Sequence, residues 1–345
     1  PHLNVGILAP PEQVVGAELY DAPREWSARN FNIPDVLQFR GALINSRFQM
    51  NAKTHPKFLG LAQEVAMAST PTDVEFFLEK KPVYRLESSG VETVLGAHAP
   101  LRKAVLTENP KIDSVIDRVV SDTDFKAADA LVSLYKKGYN ETVLTRLLSI
   151  GTLGVKMQRK VVPTKWSITA TDDTLGKALI EEVKTYSPSD FQLFFGGYLV
   201  NYFLIVFFPR AWGYELFEMA VSSPQQYTTD HEFYGGRKTY AEHCVGGYYS
   251  VRLAILEKLK AMKRQASVLV LRFITNEYTT PLGVWVTREA ARKALQQPHP
   301  ASSLEDVLSA VQTIAMTNFR YPLDNILFQS KMLQVFKTQR TLVDF

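Results

Sequence analysis

Cysteine is almost absent: Cys244 is the single one in 345 residues. One thiol forms no internal disulfide and no multi-thiolate zinc site, which excludes a disulfide-stapled secreted scaffold and fits a reducing, cytoplasmic setting. The first residues, Pro1 to Gly6, have neither an initiator Met nor a charged run followed by an apolar stretch. They do not read as a signal peptide, and the true start is expected upstream. Glycine and proline number only 18 each, too few for a collagen-like or low-complexity chain. A strong charge of one sign is missing too, since 39 Lys plus Arg against 35 Asp plus Glu leave +4. That excess permits nucleic-acid contact without demanding it. No repeat with a period of roughly 20 to 50 residues is present, which argues against a solenoid. One uncharged run, 191–209, approaches the length of a membrane span, but Gln192, Gly196, Gly197 and Asn201 interrupt it. Aromatic and aliphatic runs flank the glycines and Asn201 as strands flank a turn, so the segment reads as a buried hairpin with no membrane partner.

With 46% hydrophobic and 21% charged residues the chain can bury a large core, in roughly two domains at about 150 residues each. Prolines 10, 11, 23, 34, 56, 71 and 82 bar long helices from the first hundred residues. Between them the spacing predicts helices over 35–44 and 58–68 and strands over 74–78 and 83–86. Ala127, Ala130, Leu131, Leu134 and Tyr135 then recur at helical spacing until Gly138, which stands where a C-cap glycine belongs. Helices over 141–150 and 174–186 follow, the second with Asp172 or Asp173 as its N-cap. A helix over 248–262, a strand over 267–274, and a strand over 282–286 leading into a helix from Glu289 come next. Ser303-Leu304-Glu305-Asp306 resembles a capping box ahead of a helix to about Ala315. The class is α+β, or mixed α/β, with helices packed on an antiparallel or mixed sheet. The expected organisation is a mainly helical mixed region, 1–186, an α/β region, 187–328, and an extended C-terminal tail, 329–345, without an evident core partner.

The tail ends Gln339-Arg340-Thr341-Leu342-Val343-Asp344-Phe345. Gln339, Leu342 and Phe345 stand at i, i+3 and i+6, which a turn of 3₁₀ helix stacks on one face as an amide and two apolar anchors. The pattern resembles a PCNA-interacting peptide. That resemblance implies Gln339 for the polar pocket of the sliding clamp and Leu342 and Phe345 for the hydrophobic one. The second aromatic of many such peptides is missing, because the chain ends at Phe345. An overlapping match at Gln329, Met332 and Phe336 reads as the end of a helix.

A second segment, 151–174, brings Lys156, Arg159, Lys160 and Lys165 together with Trp166, and no acid follows before Asp172. Such a mixture follows a phosphate backbone while an aromatic face stacks on a base. Standing level with this is a solvated basic loop beside a core tryptophan. Asp122 with Asp124, and Asp172 with Asp173, are acidic pairs at expected helix starts. Brought together they would hold Mg²⁺ or Mn²⁺, but capping and the helix dipole explain them first. The glycine steps Tyr234-Gly235-Gly236-Arg237-Lys238 and Gly246-Gly247-Tyr248-Tyr249 match no phosphate loop and read as turns. His231, His243 and Cys244 lack a complete ligand spacing and read as core or surface residues.

Asn4-Val5-Gly6, the stretch from Val119 to Asp124, the stretch from Val162 to Ala170, Gly247-Tyr248-Tyr249 and the stretch from Gln265 to Val270 together resemble the archaeal Nre DNA-repair family. The likeness runs in register from Pro1 to Phe345, to the type that ends in a clamp-binding motif. It implies repair of damaged DNA in partnership with PCNA, and no established catalytic activity. It also implies a cysteine-rich zinc motif ahead of the residues matching Pro1, so zinc is expected only in such a preceding segment and no other cofactor is evident. The expectation is a clamp-recruited repair factor that contacts DNA and works in the cytoplasm at the nucleoid. One alternative is a metal-dependent nucleic-acid enzyme with Asp122, Asp124, Asp172 and Asp173 as ligands and Lys156, Arg159 and Lys165 on phosphates. Another is an adaptor that binds the clamp and a second protein without touching DNA.

Overall fold

Alternation of apolar and polar side chains builds the first strands of the chain. Along β1 (His2–Ala9) and β2 (Ile44–Asn51), Val5, Ile7, Phe48 and Met50 are buried, while Asn4 and Gln49, paired in register, are exposed. That period of two is what a strand covered on one face requires. In this computed structural model, which describes residues 2–51, 57–85, 87, 90–244 and 246–338, the two strands join β3 (Val74–Leu78) and β4 (His98–Leu106) in a mixed sheet. Its order is β1-β2-β4-β3, with β2 and β4 the parallel pair. Helices α1 (Pro23–Ala28), α2 (Ile33–Gly41) and α3 (Lys57–Met67) fall between the strands, and α3 lays Leu59 and Ala62 in their core. Next come α4 (Ser114–Ser121), α5 (Ala127–Lys136), α6 (Glu141–Ser149) and α7 (Thr164–Val183). The chain divides into two compact units inside α7: residues up to 175 with 281–283, and 176–280 with 284 onward.

The second unit is a six-stranded sheet made of β5 (Gln192–Tyr198), β6 (Asn201–Phe208), β7 (Gly213–Ala220), β8 (Tyr227–Glu232), β9 (Ser267–Ile274) and β10 (Pro298–His299), in the order β10-β5-β6-β9-β7-β8. Its helices are α8 (Tyr248–Met262), α9 (Trp285–Ala294), α10 (Leu304–Phe319), α11 (Asp324–Gln329) and α12 (Lys331–Thr338). Both neighbours in sequence along β6, such as Phe207 and Phe208, are fully buried. The run is therefore continuously apolar rather than alternating, as a strand covered on both faces must be. Leu204, Val206 and Phe208 pack with Val307, Val311 and Ala315 of α10 and Leu333 of α12.

The class is thus α+β with two mixed sheets, and the uncharged run is a β-hairpin as its content requires. Its turn, however, falls at Leu199 and Val200, both with positive φ, 48° and 56°. Gly196 and Gly197 lie inside β5 instead, where a Cβ on Gly196 would meet Ala294 Cα at 3.0 Å. The absent side chain lets α9 approach the strand. Among the described residues no helix is long and apolar enough to cross a membrane.

Other expectations are corrected. Of the strand over 83–86, a single bridge from Val83 to His98 forms among the described residues. The strand over 282–286 is replaced by a turn at Gly283, φ 103°, and the start of α9 at Trp285. The helix expected over 174–186 begins ten residues earlier, at Thr164. Residues from 329 onward do have a core partner up to 338. Met332 and Leu333 are buried, and the rings of Phe336 and Phe208 lie 5.2 Å apart.

Candidate nucleic-acid interface

Gly151 ends α6 with φ 76° and sits against the returning chain, where a Cβ would come within 2.6 Å of the Lys160 carbonyl carbon. Only glycine lets the two strands of this loop pass so closely. Ser149 and Val162 close it, the Val162 amide donating to the Ser149 carbonyl at 2.9 Å and Ser149 Oγ donating to the Val162 carbonyl at 2.9 Å. The short 3₁₀ turn Lys156–Gln158 is tied on by the Lys156 amide, which donates to the Thr123 carbonyl at 2.8 Å.

Arg159 staples the same loop. Its Nε donates to the Gly154 carbonyl at 2.7 Å and its Nη2 to the Asp122 carbonyl at 2.8 Å. Burial lowers its pKa below the ordinary guanidinium value, with the nearby Asp122 opposing the shift. Of the four cations in the segment, Arg159 is therefore committed to backbone carbonyls, whereas Lys156, Lys160 and Lys165 are exposed.

The Pro163 carbonyl starts α7 by accepting the amides of Trp166 at 2.9 Å and Ser167 at 3.0 Å. Along that helix Ser167, Thr171 and Leu175 form the buried face, and Trp166 and Ala170 fall on the opposite one. Trp166 is 67% exposed, and Met157 beside the lysines in sequence is 92% exposed. The tryptophan is thus a surface residue, not a core one. Lys156 and Lys160 are exposed on a loop closed by its own hydrogen bonds, and Lys165 and Trp166 are exposed on the first turn of the helix that follows it.

The acidic pairs take other roles. Asp122 is the C-cap of α4 rather than the start of a helix, and its carboxylate accepts the Asp124 amide at 3.1 Å. Asp172 is buried and Asp173 half-buried in the middle of α7, so neither caps it. Among the described residues no group of three or more His, Cys, Asp or Glu side chains is placed to hold a metal ion. The four carboxylates are not brought together, and the described residues offer no zinc site. Cys244 is buried with its Sγ 3.7 Å from the Leu216 carbonyl, and burial pushes its thiol pKa far above the ordinary value. Gln339, Leu342 and Phe345 lie outside the described residues.

Sequence reasoning missed a set of buried charges in the second unit. Glu215 accepts hydrogen bonds from Ser330 and the first amides of α12. Arg252 pairs with Glu232 at 2.8 Å, and Arg272 pairs with Glu218 and donates to Asn201 Oδ1. Gly247 adjoins the Glu218 carboxylate so closely that a Cβ would overlap it. Its placement before Tyr248 was the one sequence signal for that approach.

Two family profiles match the chain, that of the archaeal Nre N-terminal region over residues 1–224 and that of the archaeal Nre C-terminal region over residues 232–345. A DNA repair protein NreA of Haloferax volcanii is 35% identical over 312 residues, covering 86% of this chain and 74% of the relative. A DNA repair protein NreB of Archaeoglobus fulgidus is 36% identical over 304 residues, covering 85% of this chain and 76% of the relative. An NreA of the same organism is 35% identical over 301 residues, with 84% and 75% covered. No solved structure matches the chain.

Proposed function

Because the chain belongs to the archaeal Nre family, we propose that it is a DNA-repair factor that contacts DNA through the 156–166 surface. In this reading its last seven residues recruit it to the PCNA sliding clamp, and it works at the nucleoid. Relatives that it matches over most of its length are named DNA repair proteins. The observation that carries the DNA contact is the exposure of Trp166 among Lys156, Lys160 and Lys165. An indole left in water offers a stacking face for a base, and the three ammonium groups replace counterions along a phosphate backbone in this reading. Gln339, Leu342 and Phe345 supply the clamp contact, and tethering to the clamp raises the local concentration of a body whose own DNA affinity is modest.

Fluorescence anisotropy of the full chain with labelled duplex and single-stranded DNA, from about 50 to 200 mM salt, tests the DNA half. Binding that weakens as salt rises is expected. Trp166→Ala should lower affinity, and replacing Lys156, Lys160 and Lys165 by Glu should abolish binding. Absence of any salt-sensitive DNA binding would leave the adaptor reading in its place, and variants that bind like the parent chain would move the contact off the 156–166 surface.

A further inference from the structure

The loop 233–244 of the second unit leaves β8 with three partly exposed rings: Phe233 at 40%, Tyr234 at 52% and Tyr240 at 53%. Large apolar side chains in a freely moving loop gather against the body. Here Phe233 packs edge-on against His231 at 5.2 Å and Tyr240 against Tyr249 at 4.9 Å, each leaving part of its ring in solvent, and Arg237 fixes the backbone that carries them. Its guanidinium donates to the His231 carbonyl at 3.0 Å, the Thr239 carbonyl at 3.2 Å and the Tyr240 carbonyl at 3.0 Å. It also pairs with the buried Asp230 at 3.0 Å. The second carboxylate oxygen of Asp230 accepts the amides of His243 at 2.8 Å and Cys244 at 2.7 Å, so both ends of the loop converge on one ion pair. The Ala241 amide donates to the Tyr249 hydroxyl at 2.9 Å, which ties the middle of the loop to α8. At the near end, Gly236, φ 72°, turns the chain tightly and donates to the Phe233 carbonyl at 2.8 Å.

Two lysines accompany these rings: Lys184 Nζ, which also pairs with Glu181 at 3.1 Å, lies 4.7 Å from the centre of the Tyr234 ring, and Lys238 is exposed in the loop. Glu242 is the one acid between 233 and 244. Flat rings in fixed positions, one of them with an ammonium group over its face, suit a flexible polyanion with free base faces. A duplex hides those faces in its stack, and a purely apolar peptide gains nothing from the lysines. We propose that the 233–244 loop is a stacking platform for unpaired bases of single-stranded DNA, distinct from the 156–166 surface. The inference rests on the DNA-contacting reading given above and adds to it the form of DNA that this loop selects. Because Arg237 and Asp230 order the loop in the free protein, binding costs little additional ordering.

The test measures binding of the full chain to a fluorescein-labelled oligothymidylate and to a duplex of equal length. The variants are Phe233→Ala/Tyr234→Ala, Tyr234→Phe, and Lys156, Lys160 and Lys165 changed to Glu. The rings are exposed, so the double alanine variant should unfold at the parent midpoint. Expected is a loss of about tenfold or more for the single strand, little change for the duplex, and retention of single-strand affinity by Tyr234→Phe. Single-strand affinity unchanged in the double variant, while the lysine variant loses it, would overturn the platform and leave the DNA-contacting reading standing. A parent chain that binds neither oligonucleotide even at low salt would overturn both.

Discussion

Glu215, in the sheet of the second unit, accepts the Ser330 hydroxyl at 2.6 Å across 115 positions of sequence. The same carboxylate accepts the amides of Lys331 at 2.9 Å and Met332 at 3.0 Å. A buried strand carboxylate thus does for α12 what an N-cap residue does from within the chain, satisfying the first free amides where the helix dipole favours negative charge. Glu215→Ala strands a hydroxyl and two amides inside the protein, and a loss of about 3 kcal/mol is expected from charge-assisted bonds of this kind. Urea unfolding gives the magnitude. Hydrogen exchange gives the location, with faster exchange expected first over 331–338.

Gly247→Ala tests the buried Glu218–Arg272 pair. The new methyl group would overlap Glu218 Oε1 and crowd Arg272 Nη1, which lies 3.4 Å from the Cβ position. Glu218 Oε1 must move to admit the methyl group, which disturbs its pair with Arg272, so a destabilisation of about 1 to 3 kcal/mol is expected. A midpoint equal to that of the parent chain would show that the pair can shift without cost.

Local chemistry made some elements legible and tertiary burial hid others. Gly138, φ 94°, stops α5 as the sequence predicts, and Ser303 accepts the Asp306 amide at 3.1 Å as its capping box requires. Those signals act within one turn of backbone, so sequence contains them. The start of α7 was unreadable because its buried face is made of Ser167, Thr171 and Asp172, polar residues that hide the helical period. Asp172 and Asp173 then imitated an N-cap. At the candidate interface, the lysines and Trp166 were visible as a cluster in the sequence, but exposure of the indole depends on which helical face is buried. The commitment of Arg159 to the Asp122 carbonyl spans 37 positions, and no local pattern encodes it.

Asp230 gives the 233–244 loop a pH dependence. Burial would raise its pKa, but the amides of Cys244 and His243 and the charge of Arg237 outweigh it, and the pKa lies below the ordinary value of 3.8. A carboxylate depressed by folding contributes stability that is present above the unfolded value and lost as pH falls through the folded one. The loop should therefore stay closed at neutral pH and open in acid below about pH 3.8. Hydrogen exchange at His243 and Cys244, followed against pH, checks this. Asp230→Asn should give fast exchange at neutral pH and remove the acid step.

The proposed clamp contact and the proposed DNA contact are separable in sequence, which gives the recruitment reading its sharpest test. Gln339, Leu342 and Phe345 follow α12 in sequence, and the buried residues of that helix are Met332 and Leu333. Leu342→Ala or Phe345→Ala should then weaken binding to the clamp by about 2 kcal/mol or more in calorimetry, as loss of an anchor that fills a pocket does. The unfolding midpoint and the affinity for free DNA should stay unchanged. On DNA loaded with the clamp the parent chain should bind more tightly than on bare DNA, because tethering makes the second contact intramolecular. The two alanine variants should lose that difference and nothing else. Equal affinity for loaded and bare DNA in the parent chain would mean that the peptide and the 156–166 surface cannot engage at once, and recruitment would then fail as an account of how the protein reaches its substrate.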